Sequence, residues 1–189
     1  ISIQDLANRM KAGQQLVFGE QIGWFGPEVI DRPDSGKFLR DGIQLRWQLK
    51  EYFYRGHMAR PPKLAGKIPT VTADWQWRGE WPITTEAIMT GAWRLPKENK
   101  VVLLFANVSD SPFASRLELD PSEYGFSTKS LAATAIAPDG TRDQVRIPLT
   151  DPPEVKLAAR SILAWEVTPA EPPKVPQSLP ASSSPAIET

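Results

Sequence analysis

Two hydrophobic rhythms divide the chain: before residue 62 apolar positions recur at steps of three and four, and from Gly66 onward they alternate in twos. Ile3, Leu6, Ala7 and Met10 share one helical face, with Ser2 placed to cap that helix and Gly13 to end it. The run Leu16-Val17-Phe18 then predicts a strand over 15–18 that delivers Gly19-Glu20-Gln21-Ile22-Gly23-Trp24 at its C-terminal end. After a loop containing Gly26, Pro27, Pro33 and Gly36, the positions Phe38, Gly42, Leu45, Leu49 and Tyr52 predict a helix over about 35–55, capped by Asp34 or Ser35. Leu39, Ile43 and Phe53 lie beside that stripe. Gly42 in mid-helix implies close approach to another backbone, Gly56 a left-handed stop, and Pro61-Pro62 bar continuation. Helix, strand, loop and helix in this order fit the seventh helix, eighth strand and eighth helix of a (β/α) barrel, whose substrate face lies at the strand C-termini. Since the chain opens at Ile1 without methionine and carries none of the earlier barrel strands, the expectation is the C-terminal piece of a larger enzyme.

The second rhythm predicts strands over 68–75, 86–95, 101–109, 115–119, 130–137, 144–149, 154–157 and 161–167, separated by turn residues. Many short strands at such spacing indicate an antiparallel β-sandwich. Asn99-Lys100 and Pro138-Asp139-Gly140-Thr141 are turn sequences, the latter between two alternating runs and so a hairpin. Val101-Val102-Leu103-Leu104-Phe105 is apolar on both faces, as a central strand must be. The fold class is therefore mainly β, with a barrel remnant at 1–62, a sandwich at 66–168 and a Pro/Ser-rich tail from 168 or 169 to 189 expected to be disordered or a linker.

Composition narrows the classes. A hydrophobic content of 41% suffices for a packed core, and 22 basic against 22 acidic side chains give no electrostatic pull toward nucleic acid or an anionic membrane. No apolar run approaches the roughly 20 residues that span a bilayer. The absence of cysteine excludes disulfides and thiolate metal sites and leaves the compartment open; the start at Ile1 would hide a secretion signal. Nineteen prolines and seven tryptophans, mostly beyond the early helices, point to a turn-rich, aromatic-rich β region.

Gly19-Glu20-Gln21-Ile22-Gly23-Trp24, the helix end Tyr52-Phe53-Tyr54-Arg55-Gly56-His57-Met58 and Val101-Val102-Leu103-Leu104-Phe105-Ala106-Asn107-Val108-Ser109 resemble barrel glycoside hydrolases. In particular they are similar to a glycoside-hydrolase-like family of unknown function, distantly related to the α-galactosidase type. Ala159-Arg160-Ser161-Ile162-Leu163-Ala164-Trp165-Glu166-Val167 resembles the closing strand of the sandwich that follows such barrels. The resemblance covers about 1–168 and implies a carbohydrate substrate and an N-terminal barrel of the same polypeptide as partner. The strands that would carry most of the catalytic residues lie outside this chain.

Glu20 is the first candidate residue: at a strand end it accepts hydrogen bonds from sugar hydroxyls or serves as one carboxylate of an acid–base pair, or it simply pins the following loop. Gln21 and Trp24 complete a sugar platform, the amide reading hydroxyls and the indole stacking on a pyranose, unless Trp24 is core. Asp31 and Asp34 sit among cap-like residues and read as structural. Trp75, Trp77 and Trp81, with Arg78 and Glu80 between them, form either an exposed glycan-binding strip or the seam between barrel and sandwich; their position after the linker favours the seam. His57, the single histidine, reads as a capping or packing residue. No cluster has metal-ligand spacing and no glycine-rich loop follows a strand, so no cofactor is indicated. Two functions remain: the C-terminal part of a glycoside hydrolase, inactive alone, or a non-catalytic carbohydrate-binding or structural β-sandwich. Under the first, the apolar stripe of the 35–55 helix should be exposed without the rest of the barrel.

Overall fold

The structure, a computed structural model, describes residues 3–23, 25–76, 80–128, 130–147 and 151–170. Among these the helices are α1 (Ile3–Val17), α2 (Pro33–Gln48) and α3 (Lys50–Arg55). The strands are β1 (His57–Ala59), β2 (Lys63–Leu64), β3 (Thr70–Asp74), β4 (Pro82–Glu86), β5 (Ile88–Leu95), β6 (Lys100–Asn107), β7 (Phe113–Glu118), β8 (Leu131–Ile136), β9 (Arg142–Arg146), β10 (Glu154–Leu157) and β11 (Ser161–Pro169). The protein is mainly β and its strands pair antiparallel.

β6 organises the core because it is apolar on both sides. It lies between β5 and β11 in a sheet ordered β1-β5-β6-β11-β8-β9, flanked on both sides as its sequence predicts. Val102, Leu104 and Ala106 join Ile162 and Ala164 of β11 beneath Met10 and Leu16 of α1, Phe38 and Leu45 of α2, and Leu49 at the junction with α3. Val101, Leu103 and Phe105 share a second core with Trp165 and with Leu117, Val155 and Leu157 from a smaller sheet ordered β10-β7-β2. Helices cover one face of the large sheet and the smaller sheet covers the other, which is why β6 carries no polar residue from Val101 to Ala106.

The predicted strand over 15–18 does not exist. Residues 15–17 form the last turn of α1, because Met10, Gly13 and Val17 continue the helical spacing and lie on the buried face. Gly13 is mid-helix rather than a stop: a Cβ there would come within 3.1 Å of Met89 Sδ and Val108 Cγ1, so the missing side chain lets α1 settle onto the sheet. The true stop is Gly19, left-handed at φ +69°. Its amide donates to Leu16 O (3.0 Å) and the Glu20 amide to Gln15 O (2.8 Å), the paired bonds of a Schellman turn.

The predicted 35–55 helix is two helices. α2 begins at Pro33, where proline's missing N–H costs nothing, and breaks at Leu49 before α3 resumes. Its stripe of Phe38, Leu45, Leu49 and Tyr52 is buried against the sheet, not exposed as expected. Gly42 meets side chains, Ile22 Cδ1 (3.2 Å) and Ile162 Cδ1 (3.5 Å), rather than backbone. Gly56 is extended (φ −84°, ψ 177°), not left-handed; it is glycine because a Cβ would collide with the carbonyls of Tyr52 and Arg94.

Beyond Gly66 the predicted strands appear as β3 and β5 to β11 with shifted ends, and the Pro138–Thr141 turn closes the β8–β9 hairpin with Gly140 at φ +92°. Three short strands, β1, β2 and β4, were not anticipated. β11 extends through Thr168 and Pro169, which the sequence reading had assigned to the tail; the disorder expected for 171–189 lies outside the described residues.

A buried cation ties the helices to the sheet. Arg9 of α1 is fully buried, and its Nε donates to Val108 O (2.9 Å) and its Nη2 to Asp110 Oδ1 (2.9 Å). Arg160, preceding β11, also donates to Asp110 and pairs with Asp34 of α2 (2.6 Å).

Candidate functional site

The Gly19 turn is held from both sides. Trp93 of β5 packs over it, leaving no room for a side chain, and its indole Nε1 donates to Val17 O (3.1 Å), satisfying a carbonyl at the end of α1. Gln15 then clamps the outgoing loop: its Nε2 donates to Gly23 O and its Oε1 accepts from Gly23 N, both at 3.3 Å. Between these two anchors Glu20 and Gln21 are exposed and Ile22 reaches inward toward Gly42. Trp24 and Trp77 lie outside the described residues.

Gln21 and Ile22 form one wall of an open cleft of about 500 Å³. The other wall is a single face of α2 and α3 carrying Ile43, Arg46, Trp47, Lys50 and Tyr54, spaced at helical intervals. Phe53 lies within it, edge-to-face on Trp93 at 5.4 Å between centroids. The Arg46 guanidinium sits over Phe53 at 4.7 Å, and the Lys50 ammonium over Trp47 at 4.4 Å. Trp47 is 70% exposed, Tyr54 81% and Ile43 49%, which makes this the apolar face of the helix pair that the sheet leaves open. Beyond Trp47 a second hollow of about 550 Å³ runs to Pro138, Asp139 and Gly140, so the indole stands as a ridge between two depressions.

Among the described residues no aspartate or glutamate lines the first cleft, and neither Arg46 nor Lys50 has a carboxylate partner. Arg46 Nη1 is shut off from solvent without an acceptor, and burial lowers the pKa of this guanidinium. The cleft offers flat aromatic faces, an amide and two cations. That inventory stacks and hydrogen-bonds; it contains no pair of carboxyl groups to transfer a proton or attack an acetal.

The other candidates are dispersed. Trp75 is half-buried beside the helix-side core, with Lys11 of α1 over its ring at 5.4 Å, and meets Trp81 edge-to-face at 6.3 Å. Trp81 is 48% exposed. Asp74 accepts the Trp81 and Gln76 amides (2.6 and 2.9 Å), which hold its carboxyl below the usual range. Asp34 is an ion-pair partner and Asp31 is exposed. His57 lies exposed on β1, opposite Arg94. Among the described residues no group of three His, Asp or Glu could hold a metal, and no helix is long and apolar enough to cross a membrane. The residue that sequence reasoning missed is Trp47, for which a signal existed: Ile43, Trp47 and Tyr54 put large apolar groups on the side of the helix away from Phe38, Leu45 and Leu49.

No protein-family model and no curated protein sequence matches the chain. Solved structures similar to it are glycoside hydrolases. A Bacillus halodurans C-125 protein described as an α-N-acetylgalactosaminidase superposes with a TM-score of 0.49 at 9% identity, over 88% of this chain and 31% of that one. A GH27 β-L-arabinopyranosidase from Geobacillus stearothermophilus gives 0.42 at 12% identity over 88% and 31%. The α-amylase of Geobacillus thermoleovorans gives 0.40 at 10% identity over 72% and 23%. The chain thus spans between 23% and 31% of the length of these structures.

Proposed function

We propose that this chain is the C-terminal, non-catalytic part of a carbohydrate-active glycoside hydrolase, with the cleft between the Glu20–Gly23 loop and the α2–α3 face forming a wall of its sugar site. In this reading the helices are the end of a larger (β/α) barrel, and the two β-layers behind them are a supporting sandwich. The barrel supplies the catalytic carboxylates and borders the cleft. The observation that carries the proposal is the meeting of Gln21 with Trp47, Phe53 and Tyr54 at an exposed cleft, the mixture of planar apolar faces and polar edges that pyranose rings fit. The Gly-Glu-Gln-x-Gly-Trp run that resembles barrel glycoside hydrolases leads into this loop.

A second reading, a self-sufficient carbohydrate-binding module, is favoured by one finding: Glu20 follows a helix and not a strand, so the expected barrel rim is absent at that point. Both readings place sugar at Trp47 and predict no turnover by this chain alone.

Retention on insoluble polysaccharides tests the shared claim. The purified chain is expected to be retained, Trp47→Ala to fall to background and Trp81→Ala to behave as the parent. Retention that survives Trp47→Ala or is lost with Trp81→Ala places the site elsewhere. Extending the coding region upstream of Ile1 separates the readings: glycoside turnover that drops with Trp47→Ala supports the first, and unaffected turnover or none supports the module.

A further inference from the structure

The cations of the cleft ask for a ligand that neutral sugar does not provide. Arg46 and Lys50 lie one helical turn apart on the same face, each over an aromatic ring, with no carboxylate among the described residues along the cleft to balance them. Some exposed cations elsewhere do find partners: Arg55 bonds Glu51 and Glu98, Arg60 bonds Glu123, and Arg116 bonds Asp151. The neighbouring crevice under α3 shows the contrast, since there Lys100 and Glu166 occur together. Desolvating a guanidinium without a counter-charge is unfavourable, and a bound anion relieves it.

We infer that the cleft takes an anionic saccharide, whose ring stacks on Trp47 or Tyr54 while its acidic group meets Arg46 and Lys50. This deepens the carbohydrate reading and rests on it. A planar carboxylate matches the guanidinium fork, and the shared chemistry extends to a sulfate ester on a neutral ring. Gln21, on the opposite wall, is left to read hydroxyls.

Calorimetric titration of the full chain with three kinds of tetrasaccharide tests the inference: uronates, the same uronates fully methyl-esterified, and sulfated neutral sugars. A charged form is expected to bind about tenfold more tightly than its neutral counterpart and to weaken as salt rises. Preference for the uronate or for the sulfated sugar identifies the source of the charge. Lys50→Gln, at an exposed position, is expected to weaken the charged ligand about threefold and so to narrow its preference over the neutral one. Arg46→Gln should abolish the preference and Arg46→Lys restore part of it, with circular dichroism confirming the fold; should the Arg46 variants fail to fold, Lys50→Gln carries the test. Free uronates and sulfated sugars that both bind no more tightly than the esterified uronates overturn the inference while leaving the carbohydrate reading intact. Binding of none of the three overturns both.

Discussion

Gly19 shows what one residue decides. Its left-handed backbone ends α1, and the space where a Cβ would sit is filled by Trp93 and by Phe53, 2.9 Å away. Gly66 is also left-handed (φ +81°) but faces open space. Gly66→Ala should therefore cost about 1–2 kcal/mol from backbone strain alone, and Gly19→Ala about 1–2 kcal/mol more, because Trp93 and Phe53 must also move. Urea denaturation measures both, and equal losses would contradict the packing account. Gly13, six residues before the true stop, was read as the end of α1, and the apolar residues between it and Gly19 became a strand. Two buried tyrosines make a second residue-scale prediction. Burial raises the pKa of Tyr52, helped by its 2.7 Å bond to Glu166, and burial likewise raises that of Tyr124. An unfolded tyrosine ionises near pH 10. Above that pH the unfolded chain has lost protons that the folded chain still holds, so stability, level below about pH 10, must fall as pH rises. Unfolding midpoints followed from pH 8 to 11 should show this fall, and Tyr52→Phe should make it shallower; an unchanged slope would exclude Tyr52 as a contributor.

At the scale of elements, α1 is fastened by charge as well as by apolar packing. Arg9 lies at 0% exposure with Asp110 as its counter-ion, and burial lowers its pKa even so. Removing one partner of a buried pair typically costs about 3–5 kcal/mol. Arg9→Ala is expected in that range, and Arg9→Met, which fills the volume and leaves Asp110 its bond to Arg160, well below it. A denaturation midpoint for Arg9→Ala within 0.5 kcal/mol of the parent would show the clasp to be dispensable. Sequence reading could not see this contact because its partners stand about a hundred positions apart. It read β3 and the strands from β5 onward well, since most are half-buried and alternate. β1 and β2 are too short for a period to show, and β4 begins at a proline. α2 was misjudged differently: a single apolar stripe was sought, and the chain carries two, one for the sheet and one that stays open.

As a whole, the molecule is a mainly β body whose helical side ends in an aromatic and cationic cleft. Of the predicted site residues among those described, only Gln21 lines that cleft; Trp75 and Trp81 lie by the β3–β4 hairpin, and Trp24 and Trp77 fall outside the described residues. The cleft's aromatic wall was legible in composition, which is rich in tryptophan, but not in position, because Trp47 sits inside a helix and the sequence search looked for aromatic clusters in strands and loops. On the proposed reading the catalytic carboxylates belong to the barrel, so the purified 189-residue chain is expected to hydrolyse no aryl glycoside. Any turnover that co-purifies with it through successive columns would require catalytic groups outside the cleft. The most direct measurement of the central claim is a ¹H–¹⁵N correlation spectrum recorded during saccharide titration. The account predicts shifts at the Trp47 indole N–H and the Gln21 backbone and side-chain amides, with the Trp81 indole unmoved; shifts confined to Trp75 and Trp81, or none at any saccharide, would contradict it.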